Sequence, residues 1–297
     1  IACAGNPRGR RLKGSERPLP LRIPRRNVPR GKPRGNIHIL LTPLIERFLI
    51  MSKAGLFLKY RLPLLYHFLY TVRHPKHFYT ELSHERQLKT TLKNHSVKQI
   101  FTTYYKKNRW GDSESISGAS STINRTKTLR SELLLLLKKL NIKTMLDIPC
   151  GDFLWMNEMP LNLDHYIGAD IVEELIETNK KLYENTKRQF QVIDILSDNL
   201  PKVDLIFCRD IFIHFSFQDI YKSLANIKKS GSTYLATSTF SQLKKNTDII
   251  TGSHHTINFL QPPFCFPPPL QYINEDIDPK YCSRPDKKIG VWKISDL

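Results

Sequence analysis

From Thr126 onward the apolar positions of the chain switch repeatedly between a helical and a strand period. TKTLRSELLLLLKKLNI (residues 126–142) is apolar at its centre and basic at its end, which predicts a helix. TMLDIP (144–149) predicts a short strand, and FLWMNEM (153–159) opens the next helical segment. HYIGAD (165–170) reads as a second strand, followed by the helix IVEELIETNKKLYENTK (171–187). FQVIDI (190–195) and VDLIFCRD (203–210) read as the third and fourth strands. FQDIYKSLANIKKSG (217–231) is a helix with basic residues in its last turn and Gly231 as a C-cap signal. STYLATSTF (232–240) is the fifth strand, and LQYINE (270–275) and IGVWKI (289–294) follow the Pro-rich QPPFCFPPP as two further strand candidates. Strands alternating with helices predict an α/β, doubly wound, mostly parallel sheet. The last two strands, with no helix pattern between them, predict an antiparallel edge. No internal repeat is visible.

The chain ahead of this pattern reads differently. Residues 51–109 predict short helices rich in Lys, Leu and Tyr, with turn signals at Pro63 and His74-Pro75, and then the polar stretch RWGDSESISGASST (109–122). The formal net charge is +19 over 297 residues, and residues 1–36 alone hold eleven Lys/Arg against a single acid, Glu16. That segment has six prolines and no apolar periodicity, so it cannot offset its ordering entropy and is expected to be disordered. It reads either as a basic tail for anionic partners or as sequence translated ahead of a start at Met51, and the second reading is preferred. The expected organisation is a basic tail over 1–50, a helical extension and lid over 51–122, and a catalytic domain over 123–297.

Five cysteines (Cys3, Cys150, Cys208, Cys265, Cys282) are scattered without a CxxC pair, which fits neither a disulfide framework nor a zinc site. A reduced, cytoplasmic protein without a bound metal is expected. GLFLKYRLPLLYHFLY (55–70) is interrupted by Lys59, Arg61 and Pro63 and falls short of the roughly 18 apolar residues of a membrane span. It is read as a helix packed on the domain, with peripheral membrane contact as the alternative.

In an open parallel sheet, ligands bind outside the carboxyl ends of the strands. Four groups of residues stand there: Asp147 with the turn Pro149-Cys150-Gly151-Asp152, then Asp170, then Asp194, then Cys208-Arg209-Asp210. An acid at the end of the second strand, about 20 residues past the first turn, can accept both hydroxyls of a ribose. Gly151 lets backbone approach a ligand closely, and Asp194 can receive the exocyclic amine of an adenine. A dinucleotide site would call for GxGxxG, so that a pyrophosphate lies on a helix N-terminus. This turn has one glycine and carboxylates at 147 and 152, which repel a pyrophosphate and suit an ammonium or a sulfonium. S-adenosylmethionine has both. Each residue also has a plainer reading: an Asp at a strand end caps the next helix, Cys150 and Cys208 are small packing residues, His214 is structural, and Trp110 and Trp155 belong to a lid or the core.

LDIPCGDF, YIGADI, VIDI and DLIFCRDIFIHF resemble, in order and spacing, the motifs of class I S-adenosylmethionine-dependent methyltransferases, from about Thr126 to the C-terminus. The similarity is closest to a bacterial-type subgroup with a WGD-ES-SG stretch ahead of a D-PCGDF-W motif, whose members are often found near sugar- and polysaccharide-modifying enzymes. The resemblance implies a Rossmann-like seven-stranded sheet with its last strand antiparallel, S-adenosylmethionine as cofactor and transferase activity. The chain departs from the wider family's acid-x-Gly-x-Gly-x-Gly loop, with Pro149 and Phe153 in place of the first and third glycines. Carried over, the pattern puts the methionine moiety near Asp147 and Gly151, with Pro149 and Cys150 in the same loop. It puts the ribose on Asp170 and the adenine beside Ile171, Asp194 and Ile195, while Cys208 to Asp210 border the sulfonium and the acceptor.

The expected reaction is methylation of a hydroxyl on a sugar or another small acceptor. Asp210 or His214 is the candidate base, and Arg209 the anchor for an anionic or polyhydroxyl substrate. Trp110 and Trp155 are candidate substrate contacts, and residues 110–122 a candidate lid. A rival reading is RNA or other nucleic-acid methylation, encouraged by the basic charge. Base methyltransferases of this fold carry an Asn- or Asp-Pro-Pro-aromatic motif after strand four, where this chain has CRDI, and Gln261-Pro262-Pro263-Phe264 follows strand five instead. Nucleic acid is therefore disfavoured as a partner. The third reading is a non-catalytic, membrane-associated protein that retains the fold and docks through residues 55–70. The sequence fixes no oligomeric state.

Overall fold

Seven strands form one sheet: β1 (Thr144–Asp147), β2 (His165–Asp170), β3 (Arg188–Val192), β4 (Leu205–Cys208), β5 (Tyr234–Phe240), β6 (Gln271–Asn274) and β7 (Lys287–Lys293). Their spatial order is β3-β2-β1-β4-β5-β7-β6. The first five pair in parallel, whereas β7 runs antiparallel to both β5 and β6, so the chain reverses at the C-terminal edge as its pattern implies. The computed structural model describes Thr90, residues 92–275 and residues 286–297. The basic tail, the 55–70 stretch, Met51, Cys3 and Cys282 lie outside the described residues. Every described residue belongs to one unit, which begins at Pro75.

Helices cover both faces of the sheet. They are α1 (Val97–Lys106), α2 (Lys127–Lys139), α3 (Leu154–Asn157), α4 (Glu173–Tyr183) and α5 (Phe217–Lys229). The leucine run of α2 looks uniformly apolar in sequence, yet only Leu129, Leu133, Leu136 and Leu137 are buried, at helical spacing, while Leu135 is exposed. Those leucines join Met145, Leu205, Phe207 and Ala236 on one face of the sheet. On the other face, Ile220, Leu224 and Ile227 of α5 pack against Leu146, Ile206 and Leu235. Alternate residues of β1, β4 and β5 thus feed two separate cores, which is why these strands read as continuous apolar runs.

Caps place the helices. The Ser96 hydroxyl accepts from the Gln99 N–H at 3.2 Å while the Gln99 side chain accepts from the Ser96 N–H at 2.8 Å, a reciprocal capping box at the start of α1. Ser216 caps α5 through the Asp219 N–H, and Gly231 follows that helix at φ +67°, the left-handed stop its position predicts. Several sequence boundaries move. The third strand spans Arg188–Val192 rather than 190–195; the Ile193 N–H still donates to the Asp170 carbonyl at 3.1 Å, and the buried Ile193 and Ile195 prolong the apolar pattern. The fourth strand spans Leu205–Cys208 rather than 203–210; Asp210 is left-handed at φ +60°, and Phe212–His214 form a single 3-10 turn.

Candidate active site

A cavity of about 330 Å³ lies outside the carboxyl ends of β1, β2 and β4. That is the low end of the roughly 300–1,000 Å³ range typical of small-molecule sites. Three layers of chain build it: the turn after β1, the ends of β2 to β4, and a cover made of α1 and the strap Trp110–Ser121. On α1, Val97, Phe101 and Tyr105 face the cavity at intervals of four, one stripe of the helix. The sequence pattern predicts a helical extension and lid over 51–122, and the four-residue spacing of these side chains is visible in it.

The turn after β1 is a cross-braced crossing point. The Cys150 N–H donates to the Ala169 carbonyl at 2.8 Å, which extends the β1–β2 pairing past the strand. Gly151 has φ +55°, and a Cβ there would stand 2.2 Å from the Ser117 hydroxyl of the strap. Only glycine lets the strap come down this far. Asp152 then fastens it: its carboxylate accepts from the Ser115 hydroxyl at 2.8 Å and from the Ile116 N–H at 3.0 Å. Asn179 of α4 donates to the Gly151 carbonyl at 2.7 Å from the other side. The polar stretch singled out as a lid therefore lies directly on the turn, and the carboxylate at 152 is used by the strap rather than aimed at a ligand.

Asp170 ends β2 and faces the cavity. Its carboxylate accepts from the Val172 N–H at 3.0 Å. Burial pushes its pKa up to about 6, against the hydrogen bonds of Val172, Gly151 and Ile171 that favour the ionised form. Asp194 stands across from it just beyond β3, half-buried, with one oxygen accepting from the Leu196 N–H at 2.9 Å. Pro149, Gly151, Ile171 and Ile195 also line the cavity.

Four sequence candidates lie elsewhere. Asp147 is buried beneath the turn, where its carboxylate accepts from the Tyr166 hydroxyl at 2.5 Å. Cys150 and Cys208 are buried packing residues, each with its thiol pKa pushed up by burial. Trp155 packs in the core against Phe207, with the Arg209 guanidinium 5.7 Å above its ring. None of these four lines the cavity. In each case the side chain points under the turn or into the sheet face, a direction that spacing alone does not reveal.

At the far end of the cavity the charged residues are already engaged. Arg209 donates to Glu275 at 2.5 Å, to the Ser121 hydroxyl at 3.3 Å and to the Ser120 carbonyl at 3.0 Å. It is a brace between β4 and the strap, and it also lines the cavity. Asp210 accepts from Lys287 at 2.7 Å and from the Ser238 hydroxyl at 2.8 Å. Burial opposes its ionisation, but Lys287 and Arg209 override that and hold the carboxyl well below the usual carboxylate range. Its charge is thus already balanced by Lys287 and Arg209, and it lines the cavity.

His214 is placed differently. Its Nδ1 lies 2.9 Å from the Ser253 carbonyl, which can only accept, so Nδ1 carries the proton and Nε2 keeps a free lone pair. Burial pushes its pKa down to about 4, so the ring is neutral near pH 7. Trp110, Phe101 and His254 surround it, with ring centroids 6.1, 6.4 and 5.5 Å away. Trp110 and His254 line the cavity as well. The Gln261–Phe264 segment does not, and Phe264 packs against Phe217 and Phe259.

Burial raises Asp147 to about 7 and Asp170 to about 6. A raised carboxyl binds its proton more tightly in the folded chain, so its contribution is complete at low pH and is lost as pH rises through the folded value. His214 and His254, both lowered by burial, act in the opposite sense below their unperturbed 6.5. The histidines offset the carboxyls up to about pH 6.5, and Asp147 then leaves a net loss of stability that is complete by about pH 7.5 in the free protein. Thermal melts of wild type and Asp147→Asn across this window check it: the variant should show a shallower slope.

Among the described residues, no helix is long and apolar enough to cross a membrane, and no group of three or more His, Cys, Asp or Glu could hold a metal ion. No family model and no curated protein matches the chain. Among solved structures, it is similar to the N-methyltransferase NodS from Bradyrhizobium japonicum WM9 in complex with S-adenosyl-L-homocysteine, with 11% identity and a TM-score of 0.49 over 64% of this chain and 97% of that one. It is also similar to the methyltransferase domain of bacterial CtHen1, with 11% identity and a TM-score of 0.43 over 58% of this chain and 100% of that one. A third likeness is to human N-acetylserotonin methyltransferase in complex with SAM, with 13% identity and a TM-score of 0.45 over 67% of this chain and 60% of that one. At identities and overlaps this low, they carry no inference about activity.

Proposed function

We propose that the protein is an S-adenosylmethionine-dependent methyltransferase that methylates a hydroxyl of a sugar or another small polyhydroxyl acceptor. The observation that carries the reading is the Asp170 carboxylate, facing the cavity at the end of β2 beside the open Gly151 turn. It supports a nucleoside whose ribose hydroxyls donate to Asp170, with Ile171 and Ile195 against the base and Asp194 at its amine. The residues fit this cofactor better than a dinucleotide. The turn offers one glycine, Asp152 and a left-handed Phe153 where a pyrophosphate would need free backbone N–H groups at a helix N-terminus. When bound, S-adenosylmethionine supplies a methyl group made electrophilic by its sulfonium.

The protein's own contribution is positioning, exclusion of water and acceptance of one proton. α1 and the strap close the cavity above the β1 turn, and Asp152 and Arg209 hold the strap from both ends. His214 Nε2 takes the acceptor's hydroxyl proton. The base can be weak, because the hydroxyl becomes strongly acidic as its oxygen forms a new bond to carbon. What matters is that the ring is unprotonated, which burial secures, and correctly turned, which the bond from Nδ1 to the Ser253 carbonyl secures.

His214→Ala is expected to lower kcat by about 10²- to 10⁴-fold, the usual contribution of a positioned base. S-adenosylhomocysteine affinity should change little. Turnover and calorimetric binding measured together check this, and near-full turnover in the variant would remove His214 from the role.

A further inference from the structure

Arg209, Glu275, Lys287 and Asp210 form a closed ring of ion pairs beside the acceptor end of the cavity. Arg209 meets Glu275 at 2.5 Å, Glu275 meets Lys287 at 2.9 Å, Lys287 meets Asp210 at 2.7 Å, and Asp210 returns to Arg209 at 3.7 Å. From this ring we infer that the acceptor is an uncharged molecule with an apolar face, and that phosphorylated, carboxylated and nucleic-acid acceptors are rejected. The inference rests on the methyltransferase reading above and narrows its substrate.

Two cations and two carboxylates cancel. Their alternating order makes the field outside the ring fall off faster than that of a single charge. Of the described residues lining the acceptor end, only Arg209 and Asp210 carry full charges, and both belong to the ring. Arg209 also spends donors on Ser120 and Ser121, so its guanidinium is turned toward the strap. The remaining full charges on the cavity wall, Asp170 and Asp194, are negative and lie at the cofactor end. An anion entering here would leave water without meeting an uncommitted cation, an unfavourable exchange.

The rest of the acceptor end is apolar or neutral. Phe101, Trp110, Ile211 and Ile213 line it with the neutral His214. Trp110 retains 36% exposure and is held edge-on by Tyr104 at 5.9 Å, which leaves part of its indole open to a partner. A pyranose with its C–H face against the indole fits this surface, as does an aromatic alcohol.

The test uses the full chain saturated with S-adenosylhomocysteine and two matched probe pairs that differ by a carboxylate. One pair is methyl β-glucopyranoside and methyl β-glucuronide, and the other is benzyl alcohol and 4-(hydroxymethyl)benzoate. Saturation-transfer NMR is expected to show each neutral member binding at least about tenfold tighter than its anionic partner. Glu275→Gln gives the ring one net positive charge and should shift that preference by about fivefold toward the anion. Anionic members binding as tightly as the neutral ones, or no binding by either neutral member, overturns the inference, and neither result depends on the variant folding. Calorimetry with S-adenosylhomocysteine is run first. No binding there takes down the methyltransferase reading as well, whereas binding without charge preference removes only the neutral-acceptor claim.

Discussion

Asp170→Asn is expected to weaken S-adenosylhomocysteine binding by about 100-fold or more, with the fold intact. Hydrogen bonds to a charged group contribute roughly 1.5–3 kcal/mol each, and two ribose hydroxyls donating to one carboxylate make two of them. Asn keeps the side chain's shape and can still accept from the Val172 N–H, so the start of α4 should survive. It cannot keep the charge, and it turns an amide N–H₂ toward one of the hydroxyls. Burial holds Asp170 near 6 in the free protein. Only the ionised form accepts from both hydroxyls, so wild-type affinity should fall as pH drops below about 6. In Asp170→Asn that part of the pH dependence should be absent. Calorimetric titrations of both proteins at several pH values measure the two effects together, and a variant that binds as tightly as wild type would displace Asp170 from the ribose site.

Lys287→Ala should cost about 3–5 kcal/mol of folding stability, the usual penalty for breaking a buried ion pair. The side chain joins two carboxylates, those of Asp210 and Glu275, and the Lys287, Asp210 and Glu275 side chains are 10%, 19% and 5% exposed. With the ammonium gone, both carboxylates depend on Arg209 alone. Both are now held below their ordinary pKa: burial opposes this, but the two cations prevail. A double variant with Lys287→Met and Asp210→Asn removes a cation and an anion together and should recover much of the loss. Chemical denaturation of the three proteins checks this. A loss below about 1 kcal/mol in the single variant would mean that the ring behaves as a surface ion pair.

The sheet was legible because its strands carry two-sided apolar runs broken by helical periods. HYIGAD is β2 to the residue, and the reversal at the C-terminal edge follows from two strand patterns without a helix between them. The third strand was read too far along because the buried Ile193 and Ile195 keep the apolar pattern alive past Val192, where the strand ends. In the site, the residues legible in advance were those fixed by strand ends: Gly151, Asp170 and Asp194 line one cavity, as their spacing implies.

What stayed illegible depended on side-chain direction and long-range pairing. Nothing local distinguishes Asp147, which points beneath the turn to Tyr166, from an acid that faces a ligand. The partners that neutralise Arg209 and Asp210 are 66 and 77 positions away, Glu275 and Lys287, on the reversed edge of the sheet. Nothing in the local sequence shows that Arg209 and Asp210 are paired with these residues. Which nitrogen of His214 carries hydrogen is set by the Ser253 carbonyl, 39 positions on.

The most direct measurement is a calorimetric titration of the full chain with S-adenosylhomocysteine near pH 7.5, with NAD and ATP as comparison ligands. A saturable one-to-one heat with the homocysteine nucleoside, and none of comparable affinity with the other two, is the expected result. Tight uptake of NAD or ATP with no response to S-adenosylhomocysteine would contradict the assignment of this cavity to a sulfur-bearing nucleoside.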